Sequence, residues 1–216
     1  MKSKILTVAL ILSLALFAIS AGIAAPILSR GFYKVHVKAL DLPNQTGWTQ
    51  EEILGAYDEV MAFLLRGDEF GTGVLRWSAD GEAHFADVRG LFHLDLWIFG
   101  ITAVLSALLL FVSRKIQPYR YGNRGPSFWA GFGVVGLFLL ISAWGATDFN
   151  RAFTVFHHIF FPGKTNWLFD PTTDQIILIL PEIYFRNCAI LAIGIILVLC
   201  AVYLIAGRKR KNTLAH

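Results

Sequence analysis

The sequence predicts an all-α integral membrane protein with four transmembrane helices and further amphipathic or re-entrant helical segments on the extracytoplasmic side. Three observations carry that expectation. Hydrophobic residues make up 56% of the 216-residue chain and charged residues only 16%, a balance too apolar for a soluble domain of this size. Four apolar runs, at residues 5–28, 91–112, 128–146 and 187–206, have the length of roughly 20 residues that a helix needs to cross a hydrocarbon core. The basic residues are spread unevenly around those runs, in a pattern that implies an orientation.

Inside hydrocarbon the backbone must satisfy its own hydrogen bonds, so each run reads as a helix. The first carries Ala18-Ile19-Ser20-Ala21-Gly22, which resembles a small-residue cleavage site. Its apolar stretch exceeds that of a usual leader, however, and a retained helix is expected. No cysteine follows it, which argues against a lipoprotein. Lys2 and Lys4 precede the first run, Arg114, Lys115, Arg120 and Arg124 fill the loop after the second, and Arg208 to Lys211 follow the fourth. Cytoplasmic loops are enriched in Lys and Arg, so these three segments and both termini are expected in the cytoplasm of a bacterial cell membrane. Every Asp and Glu lies in 41–95 or 148–182, on the opposite side or at its boundary. The net charge of +4 is then a topology signal and not the footprint of a nucleic-acid binder.

Cys188 and Cys200 fall within or beside one apolar run and read as fillers, not as a disulfide or metal pair. Ala130, Gly133 and Gly136, with Gly131 beside them, would let a neighbouring helix approach the third run closely. No repeat or low-complexity linker appears, and residues 1–216 read as a single membrane domain.

The first outer segment, 29–90, is too long for a simple connection. Thr49-Gln50-Glu51-Glu52 is a capping box, and Ile53, Leu54, Tyr57, Val60, Met61 and Leu64 follow with helical period to a stop near Gly67. This amphipathic helix would lie on the membrane surface or cover the bundle. The second outer segment, 147–186, runs through Phe153 and Phe156-His157-His158-Ile159-Phe160-Phe161 to a Pro162-Gly163 turn. Asp170-Pro171 then reads as a helix start, giving a short re-entrant or interfacial helix up to Pro181.

Four histidines sit near the outer boundary: His84, His93, His157 and His158. Histidine changes charge near neutral pH and is the usual general base, although a lone interfacial histidine is more often structural. If the second helix begins early, Asp87 lies one turn from His84 on the same face and is positioned to orient its imidazole. His93, about half a revolution from His84, is expected to be structural. His157 and His158 would point about 100° apart, so that only one shares a site with His84, and His157 would share its face with Phe153, Phe160 and Phe161. No HExxH, no His pair at i, i+4, no GxSxG elbow and no phosphate-binding glycine loop is present, so neither a metal nor another cofactor is expected. Arg151, Asp170, Glu182 and Arg186 read as supports or peptide contacts, and Trp97 and Trp167 as interfacial anchors.

The stretch from His84 to Arg89, together with Phe156 to Phe161, Trp167-Leu168-Phe169-Asp170-Pro171, Asp174 and Leu180-Pro181-Glu182, resembles the bacterial lipoprotein intramolecular transacylases, the Lit family, described mainly from Gram-positive bacteria. The similarity extends to chain length and to the four spans. It implies an acyltransferase that moves the sn-2 acyl chain of a diacylglyceryl-modified lipoprotein onto the α-amino group of the lipoprotein's N-terminal cysteine, without a cofactor. It also implies that His84 and His157 are catalytic, with Asp87, Arg89, His158, Arg151, Trp167, Asp170 and Glu182 as supporting or substrate-binding residues. Arg89 stands where the family pattern has Lys, and His158 at a variable position. The implied partners are diacylglyceryl-modified lipoproteins and membrane lipid. A non-catalytic lipoprotein-binding or lipid-binding chaperone or sensor is the competing reading of so small a membrane protein.

In cysteine-free protein, a cysteine introduced by Asn123→Cys should resist a membrane-impermeant thiol reagent in intact cells, and one introduced by Asn44→Cys should react. The opposite labelling pattern would invert the orientation.

Overall fold

The computed structural model describes residues 2–208. Along them run nine α-helices: α1 (Lys4–Leu28), α2 (Arg30–Ala39), α3 (Leu42–Thr46), α4 (Gln50–Arg66), α5 (Ala79–Val112), α6 (Pro126–Thr147), α7 (Phe149–Phe160), α8 (Ile176–Ile179) and α9 (Glu182–Ala206). Among the described residues, extended backbone pairs only in isolated bridges, Ser3 with Pro118 and Tyr121 with Arg124. The helices long and apolar enough to cross a membrane are α1, α5, α6 and α9, one for each apolar run of the sequence. The protein is thus an all-helical, multi-pass membrane protein. Lys209, Arg210 and Lys211 lie outside the described residues.

The chain divides into two compact units. The first comprises the residues up to Ala24, Leu96–Ala143 and the residues from Leu191 onward, and the second Ala25–Asp95 and Trp144–Ile190.

In the first unit the three basic segments meet at one end. Tyr119 donates its backbone N–H to Ser3 (3.1 Å), Gly125 donates to the Gly207 carbonyl (2.9 Å), and the Arg120 guanidinium donates to the Arg208 carbonyl (2.8 Å). Among the apolar side chains, Ser13 and Ser106 share a hydroxyl hydrogen bond of 2.7 Å, the kind of interhelical contact polar side chains make where no water is present. The small residues of α6 pack unevenly. A Cβ on Gly131 would come within 2.8 Å of the Cys200 carbonyl, so this is a true close approach, and Ala130 and Val134 are buried beside it. Gly133 and Gly136, expected to take part, face open space.

The second unit has its own core, drawn from α2 (Tyr33, Val37), α4 (Ile53, Tyr57, Val60, Leu64), the start of α5 (Phe85), α8 (Ile176, Ile179) and the start of α9 (Tyr184). The capping box of α4 forms as the sequence indicates: Glu52 N–H donates to Thr49 Oγ1 (3.2 Å) and Thr49 N–H to Glu52 Oε2 (2.7 Å). Its apolar face is spent on this core and is not free to lie along a lipid surface. Tyr33 stacks on Tyr57 at 3.8 Å and donates its hydroxyl to the Ile179 carbonyl (3.0 Å), tying α2, α4 and α8 together. The short α2 and α3 were not anticipated from the sequence, although Ser29 caps α2 by accepting from the Phe32 N–H.

The helix expected from Pro171 to Pro181 is reduced to α8, because the residues before it make other bonds. Asp170 does not cap a helix; its carboxylate accepts from the Thr172 N–H (2.8 Å) and hydroxyl (2.7 Å) and closes a turn. Asp174 and Gln175 reach across the chain to residues 76–78. Asp174, 4% exposed, accepts from the Ser78 N–H (2.8 Å), the Ser78 hydroxyl and the Thr173 hydroxyl (2.9 Å). Gln175 Oε1 accepts from the Arg76 N–H (2.8 Å), and the Gln175 N–H donates to the Arg76 carbonyl (3.0 Å). Ser78 in turn accepts from the Gly81 N–H (3.1 Å) and caps α5, so that a buried carboxylate stands at that helix's positive end. Gly81 is glycine because a Cβ there would overlap the Asp174 carboxylate.

Thr49→Ala removes one exposed cap and should cost about 1 kcal/mol. Asp174→Ala strands buried donors and should cost more, about 1–3 kcal/mol per group left unsatisfied. Thermal unfolding in lipid or detergent should show that order; equal losses would mean that the tie at Asp174 is dispensable.

Candidate active site

Helix α5 starts at Ala79, before the apolar run at 91–112, and its leading turns carry His84, Phe85 and Asp87 within the second unit. Helix α7 belongs to the same unit and is capped by Asp148, which accepts from the Arg151 N–H (2.9 Å). The angular step of the helix sends the two adjacent histidines different ways: His157 is buried and His158 exposed. His84 and His157, each 6% exposed, come together with ring centroids 5.7 Å apart and planes inclined by 32°.

The walls around the pair are aromatic. His84 meets Phe161 (5.0 Å) and Phe169 (5.4 Å) edge to face, while His157 lies against Phe153 (4.3 Å) and is stacked on Trp167 (4.6 Å). His158 touches only the far side of this assembly, edge-on to Trp167 at 5.6 Å. Phe160, expected on the face of His157, is instead exposed and packs on Phe156.

His157 Nδ1 lies 2.8 Å from the Phe153 carbonyl, one helical turn back. A carbonyl can only accept, so the proton is on Nδ1 and Nε2 presents its lone pair. His84 is held differently. Its Nδ1 is buried without a hydrogen-bond partner among the described residues, and Asp87, expected to orient it, is engaged elsewhere. Asp87 Oδ1 accepts from Lys164 Nζ (2.6 Å) and Oδ2 from Asn166 Nδ2 (3.4 Å), pinning the loop after Phe161 to α5.

Burial pushes the His84 imidazole down to about 4, with His157 adding to the effect and Asp87 opposing it. Burial also lowers His157, against the stabilising bond to the Phe153 carbonyl. The hydrogen bond from Lys164 holds the Asp87 carboxyl below its ordinary range. At neutral pH the centre is therefore two uncharged imidazoles in an aromatic enclosure, with an ion pair at its edge. A neutral imidazole can accept a proton at its free nitrogen and pass it on, carrying positive charge only between the two transfers.

The remaining sequence candidates lie apart from the pair. The Arg89 guanidinium covers the Phe63 ring at 5.3 Å. Arg151 is exposed in the first turn of α7. Glu182 accepts from Asn150 (3.0 Å), Asp170 closes its own turn, and His93 Nε2 lies 2.9 Å from the Leu64 carbonyl. Lys164 and Asn166 were not anticipated from the sequence, and Phe169, which stood there only as part of a motif, walls His84. The Asp87–Lys164 pairing spans 77 positions, and no local period announces it. No cluster of three or more potential metal-ligating side chains occurs among the described residues.

The fold and this site together define a multi-pass membrane protein that buries a pair of histidines in an aromatic enclosure. The lipoprotein intramolecular transacylase Lit model matches residues 8–185, and the chain belongs to that family of acyltransferases. The fold agrees. A solved structure of the membrane-integral lipoprotein intramolecular transacylase Lit from Bacillus cereus is similar at 23% identity and TM-score 0.79, covering 94% of this chain and 92% of that one. Structures of the same protein with one histidine replaced by arginine (20% identity, TM-score 0.78, 94% and 88% covered) or by alanine (22%, 0.76, 94% and 93%) are similar as well. No curated protein matches in sequence.

The histidine values make a stability prediction. His84 has its folded value near 4, below an unfolded value near 6.5, so the unfolded chain binds more protons between those limits. Stability should be flat above about pH 6.5 and fall as pH drops toward 4. Melting temperatures of His84→Gln, measured against pH, should show a shallower fall than those of the parent; an unchanged slope would separate His84 from the acid response.

Proposed function

We propose that the protein transfers the sn-2 acyl chain of a diacylglyceryl-modified lipoprotein to the α-amino group of that lipoprotein's N-terminal cysteine. The product carries an N-acyl chain and a monoacylglyceryl thioether. The approach of His84 and His157 to 5.7 Å inside an aromatic enclosure is the observation that carries this reading, and the family supplies the class of reaction. That solved neighbours include histidine-substituted forms is in keeping with a histidine-centred reaction.

In this reading the amine nitrogen attacks the ester carbonyl carbon, a C–N bond forms, and the C–O bond to the sn-2 oxygen breaks. One proton must travel from the amine to the departing oxygen. His157, with Nε2 free, takes that proton and returns it to the sn-2 oxygen. His84, kept uncharged by burial, serves through its N–H as the donor to the carbonyl oxygen, a task neutral imidazole can perform. This reverses the roles suggested by sequence, where Asp87 was to orient His84 as the proton shuttle; with Asp87 engaged by Lys164, the oriented imidazole is His157. Both reacting groups belong to one molecule, so holding them in register supplies much of the rate. The meeting of the basic segments at one end of the first unit supports placing that end in the cytoplasm.

The test is conversion of a synthetic diacylglyceryl lipopeptide by protein in vesicles without added acyl donor. Transfer leaves the intact mass unchanged, so fragment ions must show the acyl chain on nitrogen. His84→Ala and His157→Ala should each slow it roughly 10²-fold to 10⁴-fold. Full activity in both variants, or an unaltered lipid with the parent, would overturn the proposal.

A further inference from the structure

Beyond the two histidines, one polar atom at this site is both buried and unused. Asn166 Oδ1 is inaccessible and has no hydrogen-bond partner among the described residues, as is the case for His84 Nδ1. Leaving a buried acceptor unsatisfied is costly, and one retained beside a reaction centre is suited to a ligand.

Its orientation follows from chemistry. Asn166 Nδ2 faces Asp87 Oδ2 at 3.4 Å, and only the NH₂ end of an amide can donate to a carboxylate, so the side chain cannot be turned over without setting oxygen against oxygen. Oδ1 is therefore directed away from Asp87. Its place in the chain brings it to the histidines: Trp167 next to it stacks on His157 at 4.6 Å, while Phe161 and Phe169 on either side meet His84 at 5.0 and 5.4 Å. Asp87 lies one turn from His84 on α5.

We infer that Asn166 Oδ1 receives a hydrogen bond from the α-amino group of the lipoprotein substrate and so holds the nucleophile beside the histidine pair. This rests on the transfer reaction proposed above. A carbonyl acceptor suits that task. It binds an N–H of the uncharged amine and leaves the nitrogen lone pair free to attack the ester, whereas a bare carboxylate would favour the ammonium form, which has no lone pair to give. Asp87 is such a carboxylate, but Lys164 neutralises it at 2.6 Å. The ion pair thus positions the amide without contributing net charge where the amine must be neutral. In the transfer step the amine nitrogen bonds to the acyl carbon, its proton passes to His157 and then to the sn-2 oxygen, and Asn166 gains and loses nothing.

The test uses an uncleavable ligand, an S-(2,3-dialkylglyceryl)cysteinyl peptide with ether-linked chains, and its desamino counterpart. Binding of each to the full-length protein in nanodiscs is measured for the parent, Asn166→Ala and the near-isosteric Asn166→Leu, with melting temperatures reporting on folding. The parent should bind the amine-bearing ligand roughly fivefold more tightly, the worth of one neutral hydrogen bond. In both variants that preference should disappear, with affinity for the desamino ligand retained. An unchanged preference in the variants, no preference in the parent, or equal weakening toward both ligands would overturn the assignment. Failure of the underlying reaction would register separately, as a parent protein that leaves the cleavable lipopeptide unaltered.

Discussion

The arrangement of the histidine-bearing unit depends on one buried carboxylate. Asp174 accepts from three donors, the Ser78 N–H and the Ser78 and Thr173 hydroxyls, and through Ser78 it sets the point at which α5 begins. A helix that started a turn later would carry His84 in its first, frayed turn, with a poorly defined direction for its ring. The same carboxylate folds the chain after Asp170 back toward residues 76–78, and Phe169, which walls His84, lies just before that fold. A desolvated charge is tolerated only when its lone pairs are filled, and here backbone and hydroxyl donors fill them at the positive end of a helix. One local satisfaction problem thereby fixes both the imidazole and part of its enclosure.

Charge is kept at the perimeter of the site. The two rings are uncharged because burial makes the cation expensive, and the one nearby carboxylate is cancelled by Lys164. In the proposed reaction, a centre kept uncharged in this way is suited to passing a proton on and not to storing a charge. That character fits an exchange of ester for amide within one molecule, where no ion needs to be stored between steps.

Sequence made some of this plain and hid the rest for identifiable reasons. The four spanning helices were legible because hydrocarbon imposes length and apolarity over whole runs, and α4 because Thr49, Glu52 and Gly67 mark its ends with specific hydrogen bonds. His84 and His157 were legible as candidates through a family resemblance and their polar setting; that they meet is a tertiary fact. The hydrogen-bond partner of Asp87 was not legible because helical spacing sees only its own helix, while Lys164 comes from a turn 77 residues away. The helix after Asp170 was overestimated for a similar reason: Asp170 looks like a helix cap, yet it closes a turn, and Asp174 reaches another segment. Gly133 and Gly136 show that small size permits a close contact without causing one.

The tautomer of His157 is set by the carbonyl of Phe153, a backbone atom four positions earlier in the same helix. The orienting group therefore has no side chain and is present whichever amino acid occupies position 153. Substitutions there can reshape the wall of the enclosure, yet the proton stays on Nδ1 as long as the helix persists. The protonation state of a reactive side chain is in this way entrusted to secondary structure, a form of information that drifts slowly while residues change. A scan of side chains for the partner that orients this imidazole would return nothing, because the partner is written into the helix itself.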